Sequence, residues 1–181
     1  MRTRLHTLER RSFIRTAGTA TLATIGGPLT HTAVAAAKSQ RAESLVKLLY
    51  QNFDERQRKA VCFPWNHIDK QRGLLRTRIE NNWRITKPII GSGFFSKDQQ
   101  ELIRAIFEGM TNPEWHTRFD KQLKDDVGGF GKKQSIAIFG EPGSGNFEFV
   151  LTSRHMTLRC DGDSAGHVAF GGPILYAHEG E

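Results

Sequence analysis

SIAIF at residues 135–139 is the first of three apolar stretches that decide the fold, and FEFVLT (147–152) and HMTLRC (155–160) follow it. The second and third stretches alternate large apolar side chains with polar ones. That period of two is expected of strands with one buried face. Glycine-rich segments at 140–145 and 162–166 flank the strands as turns. The pattern predicts an antiparallel β-meander.

The chain ahead of these strands has helical patterns. Residues 40–60 place apolar side chains on one stripe, and Asp54 is suited to cap a following turn. Ser96 begins a capping-box sequence, and Asn112 followed by Pro113 is a typical helix start. A further short strand is predicted at Val168–Phe170. Helices followed by an antiparallel meander predict an α+β fold.

The N-terminal segment carries most of the positive charge of this 181-residue chain, whose formal net charge is +7. Residues 1–37 hold five arginines against one glutamate, which leaves a net charge of only +3 for the remainder. A mildly basic body of mixed sign does not provide the charged surface that nucleic-acid binding needs. We therefore expect no nucleic-acid partner.

The segment Glu9–Arg15 (ERRSFIR) resembles the twin-arginine (Tat) export consensus. The stretch after it, Thr16–Ala37, is weakly apolar and ends in small residues suited to signal cleavage. It is too weakly apolar to be a good permanent transmembrane helix. Residues 1–37 are therefore predicted to be a cleaved Tat signal, and residues 38–181 a single α+β domain.

This interpretation predicts a location and a partner. Arg10 and Arg11 would contact the Tat translocase, and the mature domain would be periplasmic or secreted. In an oxidising compartment Cys62 and Cys160 could form one disulfide, or they could be two buried thiols. The sequence leaves both alternatives open.

The glycine-rich segment Gly140–Asn146 resembles a nucleotide-binding P-loop only superficially. Asn146 stands where that motif needs a lysine, and Phe147 stands where it needs a serine or threonine. The segment that follows alternates like a strand, whereas a P-loop is followed by a helix. A hairpin turn explains the glycines without a ligand.

Candidate chemistry is concentrated near the end of the chain. His155, Thr157 and Arg159 are expected to share one strand face, which is either solvent-exposed or lines a cleft. We predict catalytic roles for His155, Arg159 and His178. A carboxylate such as Glu141 or Glu148 could pair with a histidine for acid–base work.

The histidines also suggest a metal site. His155, His167 and His178 would supply three nitrogens and leave an open position, an arrangement typical of catalytic zinc. The chain has no tight pair of ligands such as His-x-x-x-His, and scattered histidines on a strand are often surface residues. The cofactor is therefore left open, with a divalent metal as the one candidate.

The three tryptophans, Trp65, Trp83 and Trp115, allow two interpretations. Exposed indole rings can form a platform on which a sugar stacks. Buried or half-buried rings are anchors of the core, which is the more common arrangement.

Three segments, Ile138–Pro142, Phe149–Arg159 and Phe170–His178, together resemble an uncharacterised bacterial family catalogued as domain of unknown function 3500. The resemblance covers about residues 42–181. It implies export and an α+β fold, and it draws attention to His155 and His178. No activity follows from it.

The chain departs from the family pattern at several positions. The family tends to have Gly-His-His where this chain has Ser153-Arg154-His155, so only the second histidine is retained. It usually has Tyr-Gly-His at Tyr176-Ala177-His178. Its members are longer, which would make this chain a truncated member or a fragment.

Two functions are compatible with these features. The first is a periplasmic enzyme, such as a metal-dependent hydrolase of small or carbohydrate-like substrates, that uses His155 and His178. The second is a non-catalytic ligand-binding or envelope-associated module.

Overall fold

The structure is a computed structural model that describes residues 42–143 and 145–162 and the strand at 175–176. The predicted signal segment, His167, His178 and the strand expected at Val168–Phe170 lie outside the described residues. None of the helices in the described part of the chain has the length and apolar character needed to cross a membrane.

Between residues 42 and 134, the described part of the chain ahead of the main strands, there are four helices. They are α1 (42–51), α2 (Glu55–Val61), α3 (Lys97–Met110) and α4 (His116–Val127), and a short 3₁₀ turn, Pro113–Trp115, leads into α4.

The predicted helix ends are confirmed by their hydrogen bonds. The Asp54 side chain accepts from the Gln57 backbone N–H and so begins α2. Ser96 caps α3 in the same way, through Gln99. At the C-terminal end of α4, Gly128 adopts the left-handed conformation with φ +83°, which glycine reaches at little cost.

In the part of the chain that the structure describes, seven strands form two sheets. They are β1 (Cys62–Phe63), β2 (Ile68–Asp69), β3 (Gly73–Leu74), β4 (Ser135–Gly140), β5 (Phe147–Ser153), β6 (Met156–Gly162) and β7 (Leu175–Tyr176).

The main sheet has the order β1-β4-β5-β6-β7. Strands β4, β5 and β6 form the predicted antiparallel meander, and β7 continues it beside β6. The helices come before this meander in the chain, so the α+β prediction is confirmed. Strand β1 was not predicted. It lies between helices in sequence and pairs in parallel with β4, matching Cys62 with Ile138.

One face of the sheet packs against the helices. Phe149 and Cys160 on neighbouring strands are fully buried there, as is Phe107 of α3. This is the larger of two hydrophobic clusters in the described residues. Its helical members include Val46, Leu49, Ile103, Ile106, Phe107 and Leu123.

The opposite face is also buried, which corrects the expectation of strands with a single buried face. Residues 75–85, called the covering segment below, lie over this second face. Their Leu75, Trp83 and Ile85 pack against Phe139 and Val150 of the sheet. Polar strand residues on this face are buried as well. The alternation of apolar and polar residues therefore distinguishes two buried faces of the sheet.

The free edge of β4 is partly covered by a segment that is not a strand. The Thr86 hydroxyl donates to the Ile136 carbonyl (2.8 Å), and the Ile90 backbone N–H donates to the Gln134 carbonyl (3.0 Å). Strand β1 covers only Ile138 and Phe139 farther along the same edge.

The two cysteines are free thiols. Cys62 pairs with Ile138, Ile138 with Phe149, and Phe149 with Cys160, so the cysteines stand at opposite ends of a row across four strands. Three interstrand spacings separate their Cα atoms by about 14 Å. A disulfide needs Cα atoms within about 7 Å, so this fold excludes one between them.

Candidate functional site

The turn between β5 and β6 holds the most unusual residue of the described chain. The two residues Arg154 and His155 join the strands, because Ser153 pairs with Met156. His155 has φ +58°, and it is the one residue other than glycine with a positive φ in the described part of the chain. The expectation that His155 lies on the strand with Thr157 and Arg159 is therefore wrong, because His155 belongs to the turn and β6 begins at the next residue.

His155 is held from two sides. Its backbone N–H donates to the Asn81 carbonyl, and Arg154 beside it forms an isolated β-bridge with Asn82. Its Nδ1 lies 3.3 Å from Oδ2 of Asp126, and both side chains are at least nine-tenths buried. The last turn of α4 supplies Asp126, so a helix end and a hairpin turn together position this pair.

A groove of about 590 Å³ opens beside the pair and is called the first groove below. It lies between the end of α4 and the hairpin turn. Its polar lining is mainly cationic: Asn82, Arg84, Asp126, Lys133 and Arg154. Trp83 and Ile89 contribute apolar surface.

A second groove, of about 500 Å³, runs along the exposed side of α4. It is lined by Arg118, Lys121, Gln122, Asp125 and Asp126. Asp126, whose carboxylate contacts His155, is among the lining residues of both grooves.

Arg159 lies away from both grooves, beneath the covering segment. Its guanidinium forms an ion pair with Glu148 (3.0 Å) and donates to the carbonyls of Arg76 and Arg78 at 3.0 and 2.6 Å. Its side chain is only 4% exposed, which rules out the solvent-exposed face considered for it. The structure thus separates Arg159 from His155, and these contacts favour a structural role for it.

Thr157 is buried on the same face as Arg159. Its hydroxyl accepts from the indole N–H of Trp83 at 3.0 Å, and the Thr152 hydroxyl opposite accepts from the Ile85 backbone N–H at 2.9 Å. These bonds attach the covering segment to β5 and β6.

Glu148 is the centre of a buried charge cluster. Arg76 donates to it at 2.9 Å, and the same guanidinium lies 3.9 Å from the centre of the Trp65 ring. Burial raises the pKa of Glu148, while the hydrogen bond from Arg76 and the charge of Arg159 oppose that shift. Burial also lowers the pKa of Arg159, against the attraction of Glu148. With both guanidiniums engaged, Glu148 is not placed to serve His155.

The three-histidine metal prediction cannot be completed from the described residues. Among them, no three or more His, Cys, Asp or Glu side chains are grouped so that they could hold a metal ion. Of the three predicted ligands only His155 is described, because His167 and His178 lie outside. The metal site therefore stays a prediction.

Asp126 is the functional candidate that the sequence analysis missed. It stands in the last turn of a helix, where the negative end of the helix dipole disfavours a carboxylate unless a cation or a histidine is nearby. That misplaced charge is the one sequence signal that could have singled it out.

The other sequence candidates have separate positions. Trp83 is buried, Trp65 is half-buried and Trp115 is 51% exposed, so no shared platform of three rings exists. The Gly140–Asn146 segment leads into strand β5, which agrees with a hairpin and not with a P-loop.

Comparison with known proteins gives no relative: no family model, no curated protein and no solved structure matches this chain. The resemblance to the domain of unknown function 3500 family stays a prediction, and any function has to be argued from the site itself.

Proposed function

We propose that the protein is an exported enzyme in which His155 and Asp126 perform acid–base catalysis on a small polar substrate held in the first groove. The observation that carries this proposal is the buried contact of 3.3 Å between His155 Nδ1 and Asp126 Oδ2, beside a groove of about 590 Å³. Hydrolysis of a carbohydrate-like substrate is the reaction class that we favour.

The pair has the features that acid–base chemistry needs. A carboxylate next to one ring nitrogen orients an imidazole, and imidazole is the side chain most often used for acid–base catalysis. Left-handed backbone costs a residue with a Cβ about 1–2 kcal/mol, and such conformations cluster at functional sites. The turn at His155 therefore has a cost that a purely structural turn could avoid with glycine.

The groove supplies a reason for a substrate to bind there. Arg84, Lys133 and Arg154 line it together with Asp126. Guanidinium groups bind carboxylates and phosphates through paired hydrogen bonds, so an anionic substituent would be fixed next to Asp126.

His178 belongs to the proposal through chain connectivity. Tyr176 of β7 pairs with Met156, the residue after His155. His178 follows Tyr176 by two positions in the sequence, and we propose that it acts with His155. Binding of a divalent metal by His155, His167 and His178 is part of the same proposal.

The decisive experiment compares His155→Asn with wild-type protein on a panel of chromogenic glycosides and esters. Asparagine tolerates the left-handed conformation, so this variant removes the imidazole and keeps the turn. We expect turnover to fall by at least about a hundredfold. His67→Asn is the matched control, because it removes an imidazole that packs against Phe63 and not against Asp126.

Full activity of the His155→Asn protein would refute the catalytic role of the pair. Metal analysis adds a second measurement on the same proteins. Stoichiometric metal in the wild type that is lost in both His155→Asn and His178→Ala would support the metal-dependent form of the proposal.

A non-catalytic binding module is the second candidate. It is favoured by the fact that Asp126 and Arg154 line the first groove whereas His155 does not. Ligand binding without turnover in the wild type, and unchanged binding in His155→Asn, would support this alternative.

The export proposal has a test of its own. Replacing Arg10 and Arg11 by lysine keeps their charge and removes the paired guanidinium groups. We expect the precursor to stay in the cytoplasm, as measured by cell fractionation. Normal export of this variant would refute the Tat assignment, leaving the site unaffected.

A further inference from the structure

We propose that the two grooves form one continuous cleft that binds an acidic oligosaccharide, a sugar chain carrying carboxylates, across Asp126. This inference rests on the proposed function and extends it from a small substrate to an elongated one. The structural basis is that Asp126 lines both grooves, one on each side of the end of α4.

The charges on the two sides of Asp126 point to a ligand with more than one anionic group. Lys121 is paired with Asp125 at 2.9 Å, and Arg154 lies 3.7 Å from Asp126. By contrast, within the described part of the chain, no carboxylate lies within ion-pair distance of Arg118 in the second groove or of Arg84 in the first.

Each groove therefore has at least one guanidinium group available to an external anion, and both arginines are exposed. A guanidinium matches the geometry of a carboxylate with two parallel hydrogen bonds. A ligand that bridges the two must carry two acidic groups separated by neutral chain.

Trp115 favours a carbohydrate over other polyanions. Trp115 is 51% exposed, and the guanidinium of Arg118, which lines the second groove, lies over one face of its ring with the guanidinium carbon 5.5 Å from the ring centre, so a sugar would stack on the opposite face. An exposed indole presents an apolar face with a polar edge, which suits the apolar face of a sugar ring. A uronate chain offers ring faces and carboxylates in alternation, whereas an acidic peptide offers charges alone.

The test measures the affinity of the full chain for four probes by titration calorimetry at low salt. The probes are a galacturonate tetramer, galacturonate monomer, a neutral glucose tetramer and tetraglutamate. We expect the galacturonate tetramer to bind at least about thirtyfold more tightly than any other probe, because only it engages both grooves and the indole.

Substitutions then locate the binding. Arg84→Gln and Arg118→Gln should each weaken tetramer binding by about tenfold or more, the loss of one charged hydrogen-bond contact. Lys59→Gln, an exposed cation on α2 outside both grooves, is the matched control and should leave the affinity unchanged.

Every other outcome overturns the inference. Equal affinities for monomer and tetramer, or no effect of Arg118→Gln, would limit the ligand to the first groove. Tighter binding of tetraglutamate would replace the sugar with a peptide, and no binding of any probe would reject the cleft.

Failure of the proposed function gives a different result. If the tetramer binds as expected but is never turned over, the cleft stands and the catalytic proposal fails. If small chromogenic substrates are turned over through His155 but tetramer and monomer bind alike, catalysis stands and the cleft fails.

Discussion

His155 combines a positive φ with a buried side chain, so its backbone and its imidazole have separate energetic effects. Glycine tolerates this conformation and alanine does not. We predict that His155→Gly is more stable than His155→Ala by about 1 kcal/mol, although glycine is usually the more destabilising residue. Urea denaturation of both variants measures the difference. The reverse order would show that the turn is not strained at this position.

Arg159 is predicted to hold the covering segment on the sheet. Arg159→Met removes two hydrogen bonds to backbone carbonyls and one partner of the buried Glu148, and it should lower the free energy of unfolding by about 3 kcal/mol or more. Arg159→Lys keeps the charge but presents its donors from a single nitrogen. We therefore expect its free energy of unfolding to lie between those of the wild type and Arg159→Met.

Denaturant unfolding and amide hydrogen exchange check this prediction. Exchange should rise selectively in the covering segment of the Arg159→Met protein. Lys70→Met, at an exposed lysine, controls for the loss of a positive charge. A stability equal to that of the control would mean that Arg159 is free for the catalytic role predicted from sequence.

At the scale of elements, the β5–β6 ladder contains a glycine whose missing side chain leaves room for a neighbouring ring. Gly162 lies opposite Phe147, and a Cβ added to Gly162 would overlap the Phe147 ring. We predict that Gly162→Ala costs about 1–3 kcal/mol through overpacking. The double variant Gly162→Ala/Phe147→Leu should recover part of that loss, as a double-mutant cycle would show. Strict additivity would contradict the contact.

The helices could be predicted from sequence because their signals are local. The capping residues Asp54, Ser96 and Asn112 and the stop at Gly128 each act within a few residues of the chain. The strands of the meander were also predicted correctly, because alternation and glycine turns are local patterns too.

The faces of the strands could not be predicted, because long-range contacts determine what covers them. Glu148, Thr152 and Arg159 resemble residues of a solvated face, yet their partners lie in the covering segment, 67 to 83 positions away. The same limit applies to the site. His155 was identified from its residue type, whereas Asp126 is its partner only because α4 ends beside the hairpin turn.

Across the whole molecule, the two thiols are protected by the fold. Burial raises the pKa of Cys62 and of Cys160 to about 12. At pH 8 only about one thiol in ten thousand would be ionised, and the thiolate is the reactive form. We predict that native protein does not react with a thiol reagent at pH 8, and that both thiols react once urea unfolds the chain.

Mass spectrometry of the labelled protein counts the thiols. Rapid labelling of both in native protein would contradict the burial of Cys160 and the partial burial of Cys62, and a mass showing an internal disulfide would contradict the row of four strands. If native protein stays unlabelled and shows no disulfide, both cysteines remain thiols whether the compartment is oxidising or reducing.

The hydrogen bonds that Thr86 makes to β4 and Ile90 makes to Gln134, the residue before β4, have a consequence for solubility. An uncovered strand edge is a template to which a strand of another chain can hydrogen-bond, and repeated addition of strands leads to fibrils. Thr86→Val keeps the shape of the side chain but frees the Ile136 carbonyl. The variant should scatter more light on storage while its melting temperature changes little. The reason is that the substitution removes a contact that covers the strand edge and so prevents self-association.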